Sequence, residues 1–271
     1  MESWLAGESA IRYYALLGSF GLIAVAEALA PRRLPAPAVR GRWAINIALT
    51  LLLSALVAVV FPVLSVGMAI VAQRGGFGLF NVVELPYLAA CAVSFVVLDF
   101  TRYAAHFALH RVAPLWRLHR VHHSDIDYDC TTALRFHPLE AIVTVGAQVG
   151  VVAALGAPPI AVLVSEIVTA FAAMFTHANL RVPERVDRWL RWMLVTPDMH
   201  RVHHSADAVE SNTNFSSVLP WWDRAFGTYR AAPALGHDAM QIGLAEVRDA
   251  RASSLGWLIA APFTLRAAAP T

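Results

Sequence analysis

Apolar residues dominate five stretches of the chain: Tyr13–Ala30, Trp43–Val71, Leu85–Leu98, Ala141–Leu155 and Pro158–Phe175. A helix that crosses a bilayer needs about 20 predominantly apolar residues. The first stretch meets that length. The second exceeds it and holds Pro62, which predicts a kink. The third is short as an apolar run, but its helical pattern continues to His110. Asp99 and Arg102, at i and i+3 on that helix, could pair where it leaves the lipid. The last two stretches are short and are joined by Gly156-Ala157-Pro158-Pro159, which predicts a tight hairpin that spans the bilayer or dips into it. The segment Pro183–Val195 is amphipathic: Val186, Trp189, Leu190, Met193 and Leu194 share one face, with arginines opposite. That pattern fits a helix lying in the membrane interface or one packed on a core. Trp221-Trp222 reads as a further interfacial anchor.

Composition supports a membrane protein. Hydrophobic residues make up 58% of the chain and charged residues 15%, with a mean hydropathy of +0.54, against about 25% charged residues in ordinary globular chains. The net charge of +2 and the lack of a basic run with interleaved aromatics exclude a nucleic-acid-binding surface. Cys91 and Cys130 are isolated and make neither a CxxC motif nor a disulfide framework. Ala28-Leu29-Ala30 imitates a signal-peptide cleavage site. However, Glu2 and Glu8 stand where a basic cluster would be, and Pro31 follows directly, so a retained span is expected. Apart from histidine, every basic residue is arginine, a bias that fits a GC-rich bacterial genome.

The arginines set an orientation. Arg32, Arg33, Arg40 and Arg42 fill one loop. Arg102, Arg111, Arg117, Arg120 and Arg135 lie in or after the third span, and Arg181, Arg185, Arg188 and Arg191 follow the hairpin. The intervening loop near residues 72–84 has only Arg74 and Glu84. Five spans with the N-terminus outside place all three arginine-rich segments, and the histidines described next, on the cytoplasmic side of an inner membrane.

The hexapeptide His-Arg-Val-His-His-Ser occurs at His119–Ser124 and again at His200–Ser205, and His106-x-x-x-His110 precedes the first copy. Residues i, i+3 and i+4 share a helix face. Each HxxHH block is therefore expected to point three imidazoles at one spot, and HxxxH two. Neutral imidazole is the commonest side-chain metal ligand. Eight of them exceed the needs of one ion, so the spacing predicts a two-metal centre. His177, at the end of the fifth stretch, is expected to join them. His137, in Arg135–Glu140, is expected to hold a ligand in place, and His237 to be a bystander. Asp198 reads either as the N-cap of the helix carrying the second block or as a hydrogen-bond partner of a ligand histidine. Imidazole suits zinc, copper, iron and nickel alike, so spacing does not choose the metal. ExxH pairs, HExxH, GxSxG and GxGxxG are all absent.

HxxxH, HxxHH and HxxHH boxes beside membrane spans resemble the fatty acid hydroxylase and sterol desaturase superfamily. The resemblance takes in Arg135–Glu140, His177-Ala178-Asn179, Asn212-Thr213-Asn214-Phe215 and Trp222–Tyr229, over roughly residues 85–230. It implies an all-α integral membrane bundle of four to five spans under a cytoplasmic helical cap. On this reading residues 1–84 form N-terminal spans, 85–230 a catalytic domain and 231–271 a tail. The resemblance also implies a non-haem centre of two irons, with zinc able to substitute on overexpression, and the use of molecular oxygen.

Carried onto this chain, it makes His106, His110, His119, His122, His123, His200, His203 and His204 ligands, with His177 joining them. Asp99, His137, Asn179, Asp198, Asn214 and Asp223 are expected to stand behind the ligands and orient them. Asn212 and Asn214 equally suit turns, and Asp223 a helix cap. The chain has no haem motif or cysteine cluster, so electrons would come from a separate ferredoxin, cytochrome or reductase. The substrate would be a bilayer lipid, hydroxylated or desaturated: a fatty acyl chain, a sterol or hopanoid, an ether lipid or a carotenoid. Two rival readings are a zinc-dependent membrane hydrolase and a metal-binding or transport protein.

Overall fold

The computed structural model describes residues 7–34 and 41–265; Glu2 and Arg40 lie outside the described residues. The described residues are helical, with only the isolated bridges Pro31–Leu180 and Ser205–Ile242. Five helical runs are long and apolar enough to cross a membrane: Ala10–Leu29, Arg42–Val82, Tyr87–Arg111, Pro138–Leu155 and Pro159–Thr176. They correspond to the five expected stretches.

The first run lies in α1 (Glu8–Leu29). The second contains α2 (Arg42–Val60), α3 (Ser65–Gly75) and α4 (Leu79–Val82). The proline does more here than kink the helix: α2 stops at Val60 and a helix resumes only at Ser65. Pro62 has no N–H to continue the ladder, and its ring clashes with the preceding turn. The third run is α5 (Tyr87–Arg111), unbroken through the HxxxH box. The last two are α7 (Pro138–Leu155) and α8 (Pro159–Thr176), with α6 (Ala113–His123) between α5 and α7.

α7 and α8 form the expected hairpin. Gly156 takes the left-handed conformation at φ +60°, and Gly78 at φ +89° lies against its backbone; a Cβ on either would collide. The loop after α3 thus seals the hairpin tip. Beside it Val66, Ala69, Leu98, Val152, Ala157, Val162 and Leu163 form an apolar core at the end of the bundle away from the histidines. α1 packs on α8, while α2, α3 and α5 pack on α7.

The other end is a cap of short helices. After α6 come a 3-10 turn, Cys130–Leu134, and then α9 (Glu184–Leu190), α10 (Pro197–His203), α11 (Ala208–Ser211), α12 (Trp221–Ala225), α13 (Gly236–Ala239) and α14 (Leu255–Thr264). Proline stands in the first turn of α6, α7, α8 and α10, where its missing N–H costs nothing. The arginine-rich segments fold onto this end. Buried Arg42 bonds Asp125 at 2.7 Å and also pairs with Asp129; Arg32 reaches Asp198 at 3.3 Å, and Arg33 the carbonyl of Met240 at 3.1 Å. Of the amphipathic face, Val186, Trp189 and Met193 are exposed, as in an interfacial segment, while Leu190 is half-buried and Leu194 packs against the core cluster of Ala172, Val218 and Leu219, so the stretch does both. Of the tryptophan pair, Trp221 is exposed. Trp222 turns inward and donates its indole N–H to Asp99 at 2.9 Å.

Candidate metal centre

α5, α6, α8 and α10 bring nine histidines together, and all but His106 are buried. They fall into two sets. His106, His110, His119, His123 and His203 form one; His122, His177, His200 and His204 form the other. Within each set the candidate ligand atoms lie within 4.8 Å of one another. This corrects the expectation that each HxxHH block converges on one spot. Each block gives its i and i+4 histidines to one set and its i+3 histidine to the other. His119 and His123 go with His203, while His200 and His204 go with His122.

The outer nitrogens determine what the inner ones offer. His106 Nδ1 donates to Phe215 O at 2.8 Å, His203 Nδ1 to Thr213 O at 2.8 Å and His177 Nδ1 to Ala173 O at 2.8 Å. His122 Nδ1 donates to Arg135 O at 3.3 Å, and His119 Nδ1 to Glu140 Oε1 at 2.8 Å. These partners only accept, so in the neutral rings the proton sits on Nδ1 and Nε2 carries a bare lone pair. The Nε2 atoms of His106 and His119 nevertheless approach to 3.1 Å, and those of His122 and His177 to 3.2 Å. Two lone pairs so placed repel each other unless a cation shares them. Two imidazole nitrogens each about 2.1 Å from one metal are about 3 Å apart. His203 Nε2 and both nitrogens of His204 are buried with no protein partner, the state of a donor set built for metal.

Burial pushes His122, His123, His200 and His204 well below the usual histidine range, with neighbouring imidazoles adding to the effect. Burial likewise lowers His177 to about 4 and His203 to about 3. All six are therefore neutral, the ligand form, at neutral pH.

The non-histidine residues of the hexapeptide hold this arrangement. Arg120 donates to the carbonyls of Ala261 and Leu265, tying α6 to α14. Arg201 donates to Ala178 O at 3.2 Å and lies over the Tyr128 ring, whose hydroxyl donates to Thr176 O at 2.6 Å. Val121 and Val202 are buried. Phe136 stacks on His122 at 4.4 Å.

The residues expected behind the ligands divide. Asn214, at φ 55°, donates Nδ2 to Met199 O and Arg230 O and accepts Arg230 N, which fixes it between the Thr213 and Phe215 carbonyls. Asp223 accepts from the backbone N–H groups of Phe215 and Ser216. Both act through the backbone on the carbonyls that hold His106 and His203; Asp223 sits within α12 and is not its cap.

The others do not touch the histidine sets. Asp99 accepts from Leu219 N and Trp222, and Arg102 bonds Ser165 Oγ instead of Asp99. Asn179 exchanges hydrogen bonds with the backbone of Arg33. His137 caps α7, accepting from Leu139 N, and donates to Ile259 O. Asp198 is not the cap of α10, a role taken by Thr196; it pairs with Arg32, Arg201 and His237. His237 stays outside both sets. Glu140 was not among the expected residues, although it is the one acid in the apolar run of α7.

A cavity of about 480 Å³ reaches His106, His119, His122, His177 and His200, and extends between α2, α5, α7 and α8 past Leu53, Val57, Ala141 and Val145.

These features define an all-helical protein with five candidate membrane spans and nine histidines gathered, at one end of those spans, into two sets that could each hold a metal ion. The chain belongs to the fatty acid hydroxylase family, whose profile matches residues 91–228. It is 31% identical over 150 residues to an ornithine lipid hydroxylase from Rhizobium tropici, covering 55% of this chain and 44% of that protein. It is 30% identical over 154 residues to an alkylglycerol monooxygenase from Xenopus tropicalis, covering 55% and 33%, and 33% identical over 143 residues to the one from Homo sapiens, covering 51% and 30%. The chain thus spans less than half the length of the curated relatives it matches. No solved structure matches it.

Proposed function

We propose that the protein is a membrane-embedded oxygenase that hydroxylates a lipid at a pair of irons held by the nine histidines. The observation that carries this reading is the two sets of converging imidazoles, five of them with the proton held on Nδ1 and Nε2 left bare, at the head of a largely apolar cavity. Family membership and relatives named as a lipid hydroxylase and as monooxygenases support it and favour hydroxylation over desaturation.

His106, His110, His119, His123 and His203 would hold one metal, and His122, His177, His200 and His204 the other. When bound, the iron pair supplies activation of molecular oxygen and oxidation of a C–H bond, with two electrons arriving from a separate donor protein. The net change is insertion of one oxygen atom into C–H, with the second oxygen leaving as water. The chain contributes the rest. The Thr213 and Phe215 carbonyls and Glu140 keep the protons of three ligands on Nδ1. Phe136, Ala173 and the α2 residues Leu53 and Val57 line the cavity and would exclude water and place one substrate carbon near the site. The arginines at the histidine end favour a cytoplasmic location for the site. A transporter reading fits less well, because the histidines gather at one end and do not line a crossing path.

Reconstituted with iron under nitrogen, the protein is expected to hold two irons per chain. Membranes containing it, exposed to air with an electron donor, should accumulate lipid heavier by one oxygen atom. Active protein with one iron or none, or product formation without oxygen, would overturn the proposal. Zinc in overexpressed protein would not, because imidazole sites bind zinc more tightly than ferrous iron.

A further inference from the structure

The cavity has a second end, and that end is polar. Arg102, Gln148 and Glu166 line it on α5, α7 and α8, all inside membrane-spanning segments. The helical rise puts Glu166 about 16 Å along α8 from His177 and Gln148 about 12 Å along α7 from Glu140, whereas Arg102 stands one turn, about 6 Å, along α5 from His106 and reaches the polar end through its side chain, which bonds Ser165 beside Glu166. Between the two ends the wall is mostly small or apolar, with Ala105, Val145 and Ala173 beside Thr144 and Thr169.

Charged groups at such depth are costly and mark functional sites. Glu166 accepts from Arg12 at 3.0 Å, which explains one charge. Arg102 donates to Ser165 Oγ at 3.0 Å, and the carboxylates of Asp99 and Glu166 stand near it without making a direct ion pair. A guanidinium carries five N–H donors and stays charged. Packing the bare end of an alkyl chain against it would strip its solvation and return no hydrogen bond. An anionic end would gain at Arg102 and lose at Glu166. A hydroxyl satisfies both, because it accepts from the guanidinium and donates to the carboxylate.

We propose that Arg102 and Glu166 form a subsite for a hydroxyl group carried by the lipid at its end remote from the oxidised carbon. The substrate is then measured between the subsite and the histidines. This deepens the lipid-oxygenase reading and rests on it.

The test is binding, not turnover. Full-length iron-loaded protein in micelles, under nitrogen, is titrated with a long-chain primary alcohol, its methyl ether, the alkane and the carboxylate of one chain length. Binding is read by displacement of radiolabelled alcohol. The wild type should prefer the alcohol to the ether and the alkane by roughly tenfold or more, because a site built to hydrogen-bond a hydroxyl rejects analogues that lack it. Arg102→Gln should lose most of that preference, Arg102→Lys should recover part of it, and iron content should be the same in all three. Equal wild-type affinity for alcohol and ether, tighter binding of the carboxylate, or full preference in Arg102→Gln would overturn the subsite. If no lipid of any kind binds, the lipid reading itself fails. Should the variants lose their metal, the wild-type preference alone decides.

Discussion

Glu140 does for His119 what the Phe215 and Thr213 carbonyls do for His106 and His203: it takes the Nδ1 proton and leaves Nε2 bare. Glu140→Ala should therefore cost about 10–100-fold in iron affinity or activity, the range found for partners that orient metal ligands. Equilibrium dialysis with ferrous iron reads that loss, and His237→Ala, outside both sets, should bind iron as the wild type does. Asn214→Ala should act in the same direction by releasing the turn that carries two ligand-bound carbonyls. Acid should act on His177 and His203. Burial holds His177 near 4 and His203 near 3, below the value of about 6.5 in an unfolded chain. Protons therefore bind the unfolded state more tightly, and the stability these residues contribute is whole above about pH 6.5 and declines below it. The metal-free protein should accordingly melt at a lower temperature at pH 5.5 than at pH 7.5; an unchanged midpoint would contradict the burial of neutral ligands.

The interlocking of the two hexapeptides belongs to the elements, not to the residues. At about 100° per residue, i and i+4 differ by about 40° around a helix, while i+3 lies about 60° to the other side. A helix wedged between two metal positions therefore gives a pair to one and a single imidazole to the other. The sequence spacing made the gathering of the histidines legible, but the split into two sets depends on how α6 and α10 face each other across the bundle. The same limit explains Asp198. Asp198 before the block reads as a cap, yet the helix begins two residues earlier than that reading puts it and Thr196 does the capping. Glu140 was hidden because a lone acid at the start of an apolar helix reads as ordinary first-turn polarity; only the approach of α6 shows its partner. The elements also depend on ties that cross the chain. Arg42, on α2, is buried against Asp125 and Asp129 in the loop after the first hexapeptide. Arg42→Met leaves those carboxylates without their cation and should destabilise the protein by about 3–5 kcal/mol, read as a lowered melting temperature of the reconstituted protein.

At the scale of the molecule, hydropathy marked the five spans and the arginines marked one end. The structure brings the described arginines of the first loop and the segments around both hexapeptides to the histidine end. Reporter fusions after Arg42, after Arg135 and at the C-terminus should all report cytoplasm, and one near Gly76 the opposite side. A periplasmic signal after Arg135 would reverse the orientation. What hydropathy did not reveal was the interruption of the second span at Phe61–Leu64, or that the stretch from Gly243 to Leu265 packs on the cap. His204 O accepts Gly243 N, and the carbonyls of Ala252 and Ala261 receive Arg135 and Arg120. Those contacts join positions far apart in sequence and leave no local pattern. The central claim is that nine histidines assemble a metal pair that places oxygen from O₂ into a lipid. It is tested most directly by supplying oxygen gas labelled with the heavy isotope to membranes holding the protein and an electron donor, with His203→Ala membranes in parallel. The account predicts heavy oxygen in the lipid product of the wild type and none in the variant. Product oxygen drawn from water, or labelled product from His203→Ala at the wild-type rate, would contradict it.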